Sequence, residues 1–343
     1  IGSLQTYATL QYRTLDGITE TENPRSVAVI GAGPSGIGCA VALRRLGHQV
    51  DIYERGMDLG GLVDRVIPEH RLPHEVVAFD LKRLQDLGLN FHFGENITSQ
   101  RAEMLLERYD AVFLGVGLSG VNELEQPGKA LEGVISAMAY LAKAREFLRG
   151  TGEKPETGRR VVVIGGGNVA LDAAVVAKRL GAERVIVLYR RGLEEMPGWR
   201  SEYTEAAALG VEFRWLSIID EFIEEGGKVR ALKVGGMRYS EKHNQGRRSV
   251  ERDPEAAPYI LPVDQVIPAL GQSLDEGIAA NFGIELTRQG TLVVDHETWQ
   301  TTRPGLFAAG ECVNGGATIV ACLAEGMAAG KAMHTWMTTE VPV

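Results

Sequence analysis

Short β-branched runs alternate with helical apolar periodicities along this chain, and glycines punctuate the joins. Ser26–Ile30 (SVAVI) predicts a strand, residues 35–47 a helix that Gly47 stops, and residues 50–53 a second strand. Strand, glycine turn, helix and strand in that order make a parallel βαβ unit. The same order returns later: Arg160–Ile164 as a strand, a turn over 165–167, a helix over 170–180 ended by Gly181, and a strand over 184–189. The two units lie too far apart in sequence for a solenoid repeat, and they predict two related nucleotide-binding domains in one chain. Residues 150–158, rich in Gly, Thr, Glu and Pro, predict the loop into the second unit. The polar stretch 237–258 predicts an exposed excursion or hairpin with Arg247 and Arg248 solvated. The first two dozen residues read as an arm ending at Pro24.

Composition narrows the class. With 343 residues the chain has room for roughly two domains, and 44% hydrophobic residues exclude wholesale disorder. A net charge of −9 with no dominant basic stripe excludes a general nucleic-acid binder. The most apolar stretch, 27–43, is broken by Pro34, Ser35 and glycines, whereas a membrane span needs ~20 predominantly apolar residues. The amino end has no basic segment leading an apolar run, so a cytoplasmic location is expected. Glycine is abundant, at 42 residues, and cysteine scarce, at three: Cys39, Cys312 and Cys322. Three cysteines are neither a disulfide framework nor enough for a four-thiolate iron–sulfur cluster from this chain alone. No metal site is expected.

Gly31, Gly33 and Gly36 fit G-x-G-x-x-G between a strand and a helix. The first glycine permits the tight turn, the second lets backbone approach a pyrophosphate, and the third lets helix and strand pack closely. The helix N-terminus then offers unpaired N–H groups to phosphate. Glu54 ends the next strand, where a carboxylate can accept hydrogen bonds from a ribose diol. Gly60 and Gly61 follow, a second place for close backbone approach. Near the far end, residues 305–311 predict a buried strand running into Gly310 and Glu311, with a helix over 317–335. Glu311 could accept from a ribityl hydroxyl, and the helix start at Thr318–Ile319 could stabilise negative charge on a reduced flavin.

Gly165, Gly167 and Ala170 fit the variant G-x-G-x-x-A, and the following strand ends in Tyr189-Arg190-Arg191. Arginines stand where the first unit has Glu54. An acid there would repel a 2′-phosphate, whereas an arginine can bind one bidentately, so this site should prefer NADPH to NADH.

Taken together, these stretches resemble the flavin- and nicotinamide-binding portion of the NADPH-dependent glutamate synthase small subunit family, and of dihydropyrimidine dehydrogenase. The resemblance runs from about Arg25 to the carboxyl end. It is carried by SVAVIGAGPSG (26–36), GGLVDRVIPEHRLP (60–73), DAVFLGVG (110–117), GGGNVALDAA (165–174), YRRGLEEMPGWRSE (189–202) and FAAGECVNGGATIVACLAEGMAAG (307–330). It implies an α/β chain of two three-layer Rossmann-like domains, with an NADPH domain (126–272) inserted in a discontinuous FAD domain (25–125 and 273–343), and residues 264–271 as the strand leading back. It extends the FAD contacts to Pro34, Ser35, Arg55, Leu62, Arg71 and Gly117, and the NADPH contacts to Gly166, Asn168 and Val169; His70 is placed near the flavin ring. The family usually has Asp where this chain has Glu311. Its members also usually carry an N-terminal cysteine-rich iron–sulfur domain, and the arm here has no cysteine.

The expected activity is therefore hydride transfer from NADPH to FAD, with electrons passed on to a partner protein or cluster. The cofactors carry the chemistry, and no side chain is assigned a catalytic role. Two other readings stand beside it: a thiol–disulfide reductase, which would need a close cysteine pair, and a non-catalytic flavoprotein assembly subunit, which would not need the second glycine loop.

Overall fold

The computed structural model describes residues 18, 19, 21–122, 124, 126–128, 130–244 and 247–339, the side chains of 241–244 and 247 excepted. Most of the predicted N-terminal arm, residues 1–17 and 20, therefore lies outside the described residues. The chain forms two compact units. One comprises Ile1–Asp64, His74–Gly120 and Ser273–Val343; the other comprises Arg65–Pro73 and Val121–Gln272.

The first unit opens with β1 (Ser26–Ile30), α1 (Pro34–Arg45) and β2 (Gln49–Glu54). After the short α2 (Leu62–Arg65) come α3 (His74–Gln85), β3 (Asn90–Phe93), α4 (Ser99–Arg108), β4 (Ala111–Leu114) and β5 (Gly120–Val121). The second unit runs α5 (Ala137–Leu148), β6 (Arg160–Ile164), α6 (Asn168–Arg179), β7 (Arg184–Leu188) and a single 3₁₀ turn (Leu193–Glu195). It continues with α7 (Arg200–Ala208), β8 (Glu212–Arg214), β9 (Ser217–Glu225), β10 (Lys228–Asn244), β11 (Arg247–Arg252), β12 (Tyr259–Pro262) and β13 (Gln265–Pro268). The chain returns through β14 (Gln272–Ser273), which pairs with β5, and ends with α8 (Glu276–Phe282), β15 (Leu306–Ala308), α9 (Glu311–Asn314) and α10 (Ile319–Thr339).

The first unit is built on a five-stranded parallel sheet in the order β15-β4-β1-β2-β3. Its central strand explains why SVAVI reads as an unbroken apolar run: Val27 and Val29 enter one core with Cys39, Leu43 and Met333, while Ala28 and Ile30 enter a second with Leu105, Phe282 and Leu306. A parallel strand covered on both faces needs apolar residues at every position. Helices α1 and α10 pack so closely that an added Cβ on Gly326 would lie 2.0 Å from the Ser35 carbonyl oxygen, and one on Gly38 would lie 2.4 Å from that of Leu323. Part of the glycine excess thus serves helix packing rather than a ligand.

The second unit has a four-stranded parallel sheet, β13-β6-β7-β8, with α6 packed on β6 and β7. Val162, Ile186 and Leu188 share a core with Ile219, Phe222, Leu232, Val234 and Leu261 of a second, antiparallel sheet formed by β9 to β12. The long β10–β11 hairpin occupies the polar stretch predicted as an excursion. Residues 65–73, which the sequence reading leaves in the first domain, belong to this unit by their packing. The Arg145 side chain is 1% exposed; it donates to the carbonyl oxygens of Ile67 and Leu72 and pairs with Glu69. Among the described residues no helix is long and apolar enough to cross a membrane, and no cluster of side chains could hold a metal ion.

Candidate dinucleotide sites

The two glycine turns share one construction. In the first, a Cβ on Gly31 would lie 2.5 Å from the Gly115 carbonyl oxygen at the end of β4, and one on Gly36 would lie 1.9 Å from the Gly31 carbonyl oxygen. Both positions are closed by neighbouring backbone. At Gly33 a Cβ would meet nothing within 4 Å. In the second, a Cβ on Gly165 would lie 2.3 Å from the Ala269 carbonyl oxygen after β13, and one on Gly166 would strike the Tyr189 ring at 2.7 Å. Gly167, like Gly33, faces open space. Gly33 and Gly167 are also the N-caps of α1 and α6, and neither helix has a side-chain cap. Each turn thus leaves open space beside the first amides of a 12-residue helix, which suits a pyrophosphate. The sequence motif covers both turns. In the first turn Gly31 and Gly36 are the positions closed by packing and Gly33 is the open one.

The strand ends differ. Glu54 is 5% exposed, and its carboxylate accepts from Ala32 N–H at 2.9 Å and Gly56 N–H at 2.7 Å. It therefore stiffens the turn it was predicted to serve. Gly60 N–H donates to the Ala32 carbonyl at 2.9 Å, and a Cβ on Gly61 would sit 3.1 Å from Gly33 Cα. The Gly-Gly pair is thereby set against the open position of the turn, with Leu62 beginning α2. Pro34 begins α1, Ser35 is buried, and Arg55 is exposed.

At the far end of the first unit, Gly310 takes a φ of 83° with Ser35 Oγ 2.6 Å from where its Cβ would be. Its N–H donates to Glu325 Oε2 at 3.0 Å, and that oxygen also accepts from Asn314 Nδ2 at 2.9 Å. Glu325 carries no motif that marks it in the sequence. Burial pushes the Glu311 carboxyl above its usual range, and a hydrogen bond from Ala317 N–H opposes the shift. Its Oε2 lies 3.9 Å from where a Cβ on Gly117 would stand. The structure thus brings Gly117, Gly310 and Glu311 into one neighbourhood; Thr318 and Ile319 are exposed at the start of α10.

In the second unit Asn168 Oδ1 accepts from Trp199 N–H, and Gly166 O accepts from Gly198 N–H, both at 2.9 Å. The segment after Met196-Pro197 is therefore laced onto the glycine loop, with Val169 in the first turn of α6. Arg190 is exposed. Arg191 is half-buried, with Nε donating to the Arg248 carbonyl at 3.2 Å. Arg248 was expected to be solvated. It is exposed, and its guanidinium also lies 3.7 Å from the Tyr239 ring centroid and pairs with Glu195. The Arg247 side chain lies outside the described residues.

Arg71 was predicted beside a flavin by resemblance. The structure puts its guanidinium between the Asp172 and Glu202 carboxylates of the second unit. Burial raises both acids and the Arg71 charge opposes the rise. Burial likewise lowers the neighbouring His70 to about 4, helped by Arg179 and Arg71.

Comparison with known proteins gives these turns a setting. Residues 106–326 match the pyridine nucleotide-disulphide oxidoreductase family, and residues 29–85 match the NAD(P)-binding Rossmann-like domain. The chain belongs to the pyridine nucleotide-disulphide oxidoreductase family. Within it, the chain groups with glutamate synthase small chains. It is 36% identical over 326 residues to a putative glutamate synthase [NADPH] small chain of Cereibacter sphaeroides, covering 92% of this chain and 78% of that relative. It is 32% identical over 335 residues to the glutamate synthase [NADPH] small chain of Escherichia coli, covering 94% and 70%. FprA of Mycobacterium tuberculosis, solved in complex with NADPH, superposes with a TM-score of 0.76 at 22% identity, covering 92% of this chain and 85% of FprA, and shows the shared fold. The protein is an NADPH-dependent flavoprotein oxidoreductase with FAD and NADPH as its cofactors.

All three cysteines are buried and unpaired by disulfide. Burial pushes the Cys312 thiol up to about 12 and raises Cys39 and Cys322 as well. Buried thiols held protonated are poor nucleophiles, so the thiol–disulfide reading has no support from these groups.

Proposed function

We propose that the first unit holds FAD and the second NADPH, and that electrons leave the flavin for a separate partner protein. The observation that carries this reading is the pair of open, uncapped turns at Gly33 and Gly167, one ending in a carboxylate and the other in two arginines. The amides of Ser35 and Gly36 would hold the FAD pyrophosphate, with Glu54 at its adenine ribose. Gly60, Gly61, Gly117, Gly310 and Glu311 would border the rest of the molecule. The amides of Asn168 and Val169 would hold the NADPH pyrophosphate, with Arg190 and Arg191 at the 2′-phosphate. Bound FAD supplies acceptance of hydride and its onward release as electrons. The chain contributes binding, orientation and electrostatics, with Glu54 pre-set by its two backbone hydrogen bonds. Arg71, committed to Asp172 and Glu202, serves as a brace in this reading.

The partner we infer is an iron–sulfur protein of the cytoplasm, acting as in a glutamate synthase assembly. Three unpaired thiols fit a reducing compartment. Anaerobic titration of the flavin-loaded protein is the test. NADPH should bleach the flavin absorbance at far lower concentration than NADH, and a reduced iron–sulfur protein should appear when one is added. A flavin that NADPH leaves unchanged would remove the reductase reading and favour an assembly subunit.

A further inference from the structure

The β10–β11 hairpin reaches the loop after β7 and is fastened there by a closed set of contacts. Tyr239 Oη accepts from Gly192 N–H at 2.9 Å and donates to Glu195 Oε2 at 2.5 Å. Glu195 Oε1 accepts from Arg248 Nε at 2.6 Å, and the Arg248 guanidinium covers the Tyr239 ring. The Glu195 side chain is 8% exposed, so this is a part-buried, charge-assisted cluster. The hairpin backbone then acts on the loop in turn: the Arg248 carbonyl accepts from Arg191 Nε. From the other side, Leu216 N–H donates to the Arg191 carbonyl, and Met237 N–H of β10 donates to that of Leu216.

This wiring separates two arginines by role. Arg248 spends Nε and Nη2 on Glu195 and its face on Tyr239, so its charge is already matched. Among the described residues Arg191 spends only Nε, on a neutral carbonyl. That single bond fixes the guanidinium plane and leaves its terminal nitrogens for an anion. An arginine whose rotamers are limited before binding loses less entropy when a phosphate arrives.

We propose that the β10–β11 hairpin is a specificity element for the 2′-phosphate, in which Arg248, Tyr239 and Glu195 are positioning residues that hold Arg191 ready for it. The proposal rests on the assignment of Arg190 and Arg191 to that phosphate. Calorimetric binding of 2′,5′-ADP and 5′-AMP to the flavin-loaded protein tests it. Arg248→Ala should weaken 2′,5′-ADP by roughly fivefold or more, the scale of one hydrogen bond's net worth, and leave 5′-AMP unchanged. Tyr239→Phe keeps the packed ring and should shift binding the same way by less; it also covers the case in which Arg248→Ala folds poorly. Arg248→Lys should restore part of the loss. In an Arg191→Ala background Arg248→Ala should add nothing. Equal weakening of both ligands would mean a merely structural role and would overturn the proposal. So would unchanged 2′,5′-ADP affinity in both single variants, or a full additional loss in the Arg191→Ala background. If Arg190→Ala/Arg191→Ala itself kept wild-type affinity for 2′,5′-ADP, the underlying assignment would fall, a result distinct from failure of the hairpin alone.

Discussion

The two glycine turns are the same device with different endings. In both, the first glycine is shut by the carbonyl of a neighbouring strand's end, the second faces open space, and the helix beyond is uncapped. At the strand end they part. Glu54 is buried and accepts from Ala32 of the glycine turn and Gly56 of its own loop, whereas Arg190 is exposed and Arg191 donates to a hairpin carbonyl from another sheet. In the proposed reading the backbone of each turn would take the pyrophosphate, and the side chains at the next strand end would distinguish the nucleotides. Their surroundings also differ: Glu54 is held by amides of the glycine turn and of its own loop, and the loop after β7 is held by Tyr239 and Arg248 of the hairpin.

The third motif position gives the sharpest way to break the likeness. Gly36→Val should destabilise the first unit by about 3 kcal/mol or more, because its Cβ would enter the Gly31 carbonyl. Gly33→Ala should leave the unfolding midpoint of the flavin-free protein in place and abolish flavin retention. Thermal unfolding and flavin content separate the two; equal unfolding midpoints for both variants would show that Gly36 is not set by packing. Next in size comes the charge difference. Arg190→Ala/Arg191→Ala should raise the NADPH dissociation constant about ten- to a hundredfold, since a charged hydrogen bond is worth ~1.5–3 kcal/mol, and leave NADH binding alone. Matching NADPH constants in variant and wild type would erase the distinction between the strand ends.

The smallest effect concerns His70. Its folded pKa of about 4 lies below the ordinary 6.5, so the unfolded chain binds the extra proton between those values. Stability from the neutral ring is present above pH 6.5 and is lost as pH falls toward 4. The raised acids Asp172 and Glu202 act with the opposite sign, so a variant comparison is needed. His70→Gln should lose less stability in urea unfolding between pH 7 and pH 5 than the wild type. Parallel losses would count against a buried neutral His70.

Much of the frame was legible from local pattern. Ser26–Ile30 and Arg160–Ile164 are strands with the bounds read from the sequence. The helix predicted over 317–335 is found at Ile319–Thr339, starting after the exposed Gly315-Gly316 turn and running on through an apolar face. Arg71 illustrates what was not legible. Its partners Asp172 and Glu202 are remote in sequence, and no spacing rule links the three. Glu325 is similar: an acid on a helix facing an N–H fifteen residues earlier carries no signature of its own. Arg248 has the exposure that a polar run of that composition predicts, but the register that sets it over Tyr239 exists only once β10 and β11 pair.

By itself, then, the sequence determined the two βαβ units, the glycine turns and the exchange of acid for arginine, because period, turn chemistry and charge act over a few neighbouring residues. Only the tertiary structure decided which backbone atoms close the glycines, that residues 65–73 pack with the second unit, and that a hairpin carbonyl meets Arg191. Those outcomes depend on distances of a few ångströms between segments far apart in the chain, and such distances are set when the sheets and helices pack.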